Sequence, residues 1–182
     1  MLNGYTTKTA NPLFWAMLKA AHRKGEGSPL MLDRTIIGID PGETTGFGFR
    51  KYMDAERFEL HMKQIPTKDR YQGALAIRRE ISAIRQSGGI NPLVVCEDYR
   101  VYGHKTEQHA WAGLHTPKLI GAIEFFCAEM DIPMVFPMAI EGKSWATDDM
   151  LKQWGLYDPG MKHARDASRH IVTRTFFGKD TG

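Results

Sequence analysis

The sequence is poor in cysteine: Cys96 and Cys127 are the only two, each inside an apolar run and without metal-type spacing. That excludes a disulfide-dense secreted scaffold and a thiolate-bound zinc site, and makes a reduced, cytoplasmic setting the expectation. Also missing is any apolar run near the ~20 residues that span a bilayer. The nearest approach to a signal peptide, residues 12–21, is interrupted by Lys19 and followed by His22-Arg23-Lys24, the wrong polarity for secretion. Internal repeats and low-complexity tracts are absent. So is a large excess of one charge. The net charge is +3, and Lys8, Lys19, Arg23 and Lys24 against Glu26 carry all of it within residues 1–30. A polyanion would have to be met by local basic patches, not by bulk charge.

What is present is a globular composition, 42% hydrophobic over 182 residues, enough to bury one sizeable core. Residues 11–24 (NPLFWAMLKAAHRK) put a capping Asn11 and a first-turn Pro12 ahead of apolar residues at helical spacing, and 25–29 (GEGSP) reads as a linker. Residues 1–30 therefore read as an N-terminal helical extension and linker, or as an over-extended start, with 31–182 as the main domain. Phe14, Trp15 and Leu18 could pack on that body, while Lys19, Arg23 and Lys24 could face a polyanion.

The order of elements after the linker is informative. Residues 35–40 (TIIGID) form a short Ile-rich strand ended by Pro41-Gly42, and 45–52 form a second. Residues 56–64 alternate, with Phe58, Leu60 and Met62 on one side and Arg57, Glu59, His61 and Lys63 on the other, as in a half-exposed strand. Helical spacing over 69–86 stops at Gly88-Gly89, 92–97 (PLVVCE) is a buried strand, 117–130 a helix and 132–137 a fifth strand. Residues 148–154 and 161–177 complete the pattern as two helices. A three-strand antiparallel meander followed by βα crossovers predicts an α/β fold: a mixed five-stranded sheet with helices on both faces, preceded by the N-terminal helix.

Three places could carry chemistry. Asp40 ends the first strand and precedes the Gly- and Thr-rich turn 41–46 (PGETTG), although Asp-Pro-Gly is also ordinary turn chemistry. Glu97 ends 93–96 (LVVC), and alternation puts the competing Asp98 on the opposite face, so only one of the two can join Asp40. His163 and Asp166, at i,i+3, share one face of the last helix beside the small Ala164 and Ala167. The plainer alternative for Asp166 is a surface pair with Lys162, Arg165 or Arg169.

In this order the three resemble one family. Residues 37–46 (IGIDPGETTG), 94–98 (VVCED) and 163–167 (HARDA) are similar to the signature segments of the RuvC family of Holliday junction resolvases, within the RNase H-like, retroviral-integrase-like superfamily. The resemblance covers about 35–177. It is greatest to divergent bacteriophage members, which also carry a segment like 147–152 (TDDMLK). It implies an RNase H-like fold and a metal-dependent endonuclease that resolves four-way or other branched DNA, in the host cytoplasm if phage-encoded. It also implies that Asp40, Glu97, His163 and Asp166 are the catalytic, metal-binding set for two Mg²⁺, with Mn²⁺ as a substitute. Asp40 would bridge the ions, Glu97 and Asp166 would complete one each, and His163 would bind a metal or orient the water. Such oxygen-rich donor sets suit Mg²⁺ or Mn²⁺, and two ions about 3.5–4 Å apart can serve both the attacking and the leaving oxygen. A metal-bound imidazole must be unprotonated, so acid is expected to weaken binding.

For the DNA, the resemblance and the charges point to Lys162, Arg165 and Arg169 beside the metal residues, and to Lys118 and Lys143 at neighbouring elements, as phosphate contacts. Family members often carry a wedging aromatic just after the fourth-strand Glu. Here Arg100 stands third after Glu97, flanked by Tyr99 and Tyr102, either of which could stack on an opened base. Cutting two strands related by a two-fold axis implies a homodimer. The stretch 105–130, with Trp111, Leu114, Leu119, Ile120, Phe125 and Phe126, offers either an interface or simply core.

Two other readings share parts of this pattern. A less selective RNase H-like nuclease would act on forks, flaps or RNA with the same residues. Actin-like ATPases and sugar kinases begin with a similar Gly-Ile-Asp-x-Gly strand. They need a second Gly-rich phosphate loop, of which the sequence holds no example, so no nucleotide cofactor and no membrane partner are expected.

Overall fold

A computed structural model describes residues 4–51, 57–99 and 114–178. Its centre is a six-stranded mixed sheet in the order β1-β4-β3-β2-β5-β6, made of β1 (Thr6–Thr9), β2 (Ile36–Asp40), β3 (Thr44–Arg50), β4 (Glu59–Pro66), β5 (Leu93–Cys96) and β6 (Met134–Val135). Strands β1 to β4 pair antiparallel, whereas β5 runs parallel to β2 and β6 parallel to β5. The expected meander and crossovers are therefore present, in an α/β sheet covered by helices on both faces.

Alternation along the strands sorts the core into two layers. Ile37, Ile39, Phe47, Phe49, Val94 and Cys96 pack against α2 (Arg70–Gln86) and α3 (His115–Glu129) through Ile77, Ile81, Ile84, Leu119 and Ile123. The opposite residues, among them Ile36, Leu60, Met62, Leu93 and Val95, pack against α1 (Pro12–Arg23), α5 (Asp148–Gln153) and the last helix, α6 (Lys162–Phe177). A short helix, α4 (Ala139–Trp145), lies against α6. Leu119 of α3 is thus core and not interface, Phe125 is exposed, and Trp111 and the stretch before residue 114 lie outside the described residues.

One expectation needs correction. The sheet has six strands, not five, because residues 6–9 (TTKT) pair with β4 from Thr6 opposite Met62 to Thr9 opposite Glu59. This segment has no apolar alternation of its own; β-branched threonines and a partner with unpaired backbone groups make it a strand. The N-terminal segment packs on the body through the apolar residues of α1. Asn11 caps α1, its side chain accepting from the Phe14 amide at 3.3 Å. Phe14 and Leu18 are fully buried, and the Phe14 ring lies 4.5 Å from that of Phe58 and 5.2 Å from that of Phe176. Residues 6–23 supply an edge strand and a wall of the core.

Helix α6 is the structural centre of its layer, and the strands are shaped to admit it. Gly38 and Gly46 face it from β2 and β3. A Cβ at Gly46 would lie 2.0 Å from the His163 carbonyl oxygen, and one at Gly38 would lie 2.4 Å from that of Ala167. Only glycine allows this approach, which seats the first turns of α6 directly across the carboxyl end of β2.

Candidate active site

The carboxyl ends of the parallel strands β2 and β5 lie side by side, with Ile39 opposite Cys96. Asp40 is the last residue of β2, and two-residue alternation from Ile36 and Gly38 turns it toward α6. Glu97 follows Cys96 and shares the face of Val95, again toward α6. Asp98 belongs to the other phase; its amide donates to the Pro137 carbonyl at 2.9 Å. Glu97 is therefore the carboxylate that joins Asp40.

From above, α6 delivers the other two. His163 lies in its first turn, and its Nδ1 is 3.3 Å from an Asp40 carboxylate oxygen. Asp40 is 14% exposed and His163 44%, so the pair spans from core to solvent. Asp166, one turn on, receives Arg169 Nε at 3.0 Å and Lys143 Nζ at 3.3 Å.

The electrostatics show that these groups share one environment. The Asp40 carboxyl is pushed up to about 6, first by burial, then by the negative charge of Glu97 and that of Asp166, with His163 opposing. Three carboxylates thus converge on one partly buried patch and repel one another. Among the described residues, no group of three or more His, Cys, Asp or Glu side chains is placed so that it could hold a metal ion. Each carboxylate is matched instead by a basic or imidazole neighbour: Asp40 by His163, Glu97 by His170, and Asp166 by Arg169 and Lys143. In donor type the set suits a hard divalent cation, and to hold one the carboxylates would have to rotate away from these neighbours.

Sequence reasoning missed two residues of this site. His170 Nε2 lies 3.0 Å from Glu97 Oε2 and its side chain is 2% exposed. Its spacing of seven from His163, two helical turns, was the available signal. Gln64, near the end of β4, accepts the His163 amide on its Oε1 at 3.1 Å. It serves as a cap for α6, whose own N-cap residue, Met161, makes no side-chain cap bond. Nothing in the sequence around Gln64 marked it.

The expected DNA contacts divide. Lys162 is exposed on the first turn of α6, and Lys143 is 47% exposed beside Asp166. Lys118 is exposed on α3, on the other layer. Tyr99 is half-buried just beyond Glu97, while Arg100 and Tyr102 lie outside the described residues. The arginines of α6 depart from expectation. Arg169 is almost fully buried, its guanidinium donating to the Ala146 carbonyl and pairing with Asp148 and Asp166. Arg165 pairs with Asp148 at 3.1 Å, donates to the Asp158 carbonyl at 2.8 Å and covers the Tyr157 ring. Both guanidinium groups tie helices together instead of standing open to phosphate.

No protein-family model and no curated protein matches the sequence. Solved structures do. The chain is similar to RuvC of Thermus thermophilus in complex with a Holliday junction substrate, with a TM-score of 0.59 and 16% identity over 79% of this chain and 94% of that one. It is likewise similar to another structure of Thermus thermophilus RuvC, with a TM-score of 0.52 at the same identity and coverage. The fold is RuvC-like. Among the described residues, no helix is long and apolar enough to cross a membrane.

Proposed function

We propose that this protein is a metal-dependent endonuclease that cleaves phosphodiesters in branched DNA, with the four-way junction as its substrate. The observation that carries the reading is the placement of carboxylates from three distant segments toward the carboxyl ends of β2 and β5, where burial first, and then the charges of Glu97 and Asp166, push the Asp40 carboxyl up to about 6. A RuvC-like fold supports the junction as substrate, since one RuvC neighbour is itself bound to a Holliday junction. The position agrees with the rule that open α/β sheets act at strand carboxyl ends.

Asp40, Glu97, Asp166 and His163 would hold two Mg²⁺, or Mn²⁺. When bound, such a pair supplies Lewis-acid activation of the attacking water and stabilisation of the leaving 3′ oxygen. The chain's own groups do the rest. His163 turns Nδ1 to Asp40, and where it does not bind a metal its other ring nitrogen could orient an approaching water. Lys143 stands at the rim beside Asp166 and Lys162 at the start of α6, where backbone N–H groups also favour an anion; both can hold a phosphate in register without reading sequence. Two-fold cleavage calls for a homodimer with one such site per subunit.

The test is digestion of a panel of synthetic four-way junction, fork, flap and RNA–DNA hybrid substrates with Mg²⁺ or Mn²⁺, beside Asp40→Asn. Metal-dependent cutting of the junction that the substitution abolishes supports the reading. Equal cutting of all branched or hybrid substrates makes the enzyme a less selective RNase H-like nuclease. Cleavage that survives Asp40→Asn, or that needs no metal, defeats the site.

A further inference from the structure

We propose that His170 is a positioning residue for Glu97: its imidazole, clamped between β5 and α4, holds the Glu97 carboxylate in the orientation the site uses. The inference rests on the metal-nuclease reading and extends it to a residue outside the four-residue set. His170 lies two turns beyond His163 and one turn beyond Asp166 on the stripe of α6 that faces the strand ends. Its Nε2 is 3.0 Å from Glu97 Oε2. With Nε2–H as donor and the carboxylate oxygen as acceptor, this contact ties the orientation of the carboxylate to that of the ring.

The ring itself is held by packing. Gly142 of α4 abuts it so closely that a Cβ there would lie 3.1 Å from both Cε1 and Nδ1. Glu97 stands just past the last residue of β5; its amide still donates to the Ile39 carbonyl at 2.9 Å, so its backbone is held while its longer side chain retains its own rotations. A rigid donor on a helix thus steadies a carboxylate on a strand exit. Groups that orient metal-binding side chains in this way are worth about 10–100-fold in metal affinity or activity.

His170 also lines a cavity of about 300 Å³, together with Val95, Val135, Phe136, Thr173 and Phe177. This provides a discriminating experiment, because truncating His170 joins its space to a cavity that a free imidazole can enter. The full-length protein and its His170→Ala, His170→Gln and His170→Met variants are compared by calorimetric titration with Mn²⁺ and by junction cleavage as a function of Mn²⁺. His170→Ala is expected to bind Mn²⁺ about 10–100-fold more weakly and to recover with added imidazole. Gln, with an N–H able to reach the carboxylate, should recover much of the loss, whereas Met, of similar bulk without a donor, should not. The Gln–Met pair keeps the test decisive even where the cavity in His170→Ala prevents folding. Unchanged Mn²⁺ affinity in His170→Met, or a loss that neither imidazole nor Gln repairs, overturns the positioning role while leaving the nuclease reading intact. Absence of Mn²⁺ binding and cleavage in the unaltered protein overturns that reading, and this inference with it.

Discussion

Asp40→Asn should abolish cleavage and yet make the protein more stable, and the size of that gain follows from the site. The Asp40 carboxyl is pushed up to about 6 in the fold from its ordinary 3.8, because burial and two neighbouring carboxylates disfavour its charge. Roughly two pH units at 1.36 kcal/mol each give a penalty of about 3 kcal/mol for holding Asp40 ionised. The fold binds this proton more tightly than the unfolded chain does. Stability is therefore highest while both states are protonated, falls as pH rises from about 4 to about 6, and stays low above that. Asn keeps the shape and an oxygen for His163 but carries no charge, so the variant escapes the penalty.

The difference between the two proteins isolates this group from the other carboxylates that titrate in the same range. In chelator at pH 7.5, Asp40→Asn should unfold with a free energy higher by up to about 3 kcal/mol, or a Tm higher by some ~6–12 °C in a chain of this length. The gap should close as pH is lowered to about 4. Urea titration followed by tryptophan fluorescence reads it directly, since Trp154 is fully buried and stacked on Phe176. Mg²⁺ should narrow the gap at pH 7.5 by stabilising the unaltered protein, by about 2.7 kcal/mol at a hundredfold excess over Kd. A variant no more stable than the parent, or a gap that does not change between pH 4 and 7, refutes the picture of three carboxylates crowded against one another.

Three further perturbations address how the site is built. Phe14→Ala should cost about 3–5 kcal/mol in urea unfolding, the range for a buried ring, because α1 packs into the core; a loss below 1 kcal/mol would show instead that residues 1–30 are a separable extension. Gly46→Ala drives a methyl into the His163 carbonyl and should cost about 1–3 kcal/mol while displacing the first turn of α6. Its cleavage of a junction should fall even at temperatures where circular dichroism shows it folded, and full activity there would refute the close seating of α6. Arg169→Met strips the buried guanidinium from Asp148 and Asp166 and should cost about 3–5 kcal/mol; Arg169→Lys, lacking the forked donor, should repair little of it, and unaltered unfolding in either variant would show that the network carries no stability.

Where the sequence was legible, one periodicity coincided with one physical demand. The strand 35–40 was readable because a sheet centre needs both faces apolar, and the Glu97 over Asp98 choice because side chains alternate without exception along a regular strand. His163 and Asp166 were readable as a pair because the helix repeat puts i and i+3 on one face. The residues that escaped depend on partners far away in the chain. Strand β1 has no hydrophobic signature and forms because β4 offers it an edge. Helix α4 is seven residues long with Gly142 at its middle, too short and too poor in propensity to announce itself. Gln64 matters only because α6 starts over it.

The arginines of α6 show why a correct helix did not yield a correct surface. Lys162, Arg165 and Arg169 sit at i, i+3 and i+7, the spacing of a single stripe, and a stripe of cations suggests a solvated face turned to phosphate. That inference assumes that α6 has a solvent side along its length. It does not: the sheet covers one flank, α1 and the α4–α5 segment cover much of the other, and buried positions run from Ala164 to Phe176. A cation on such a helix stays charged only with an anion brought to it, and Asp148, in the first turn of α5 capped by Thr147, is that anion for both Arg165 and Arg169. The acidic segment 147–152 and the basic stripe were both visible in the sequence, and their pairing across two helices is what periodicity cannot show. With two of three cations committed inside, positive charge available to a polyanion on this face comes from Lys162 and from the partly exposed Lys143. Among the described residues, the positive charge that this face offers a polyanion is therefore confined to its rim.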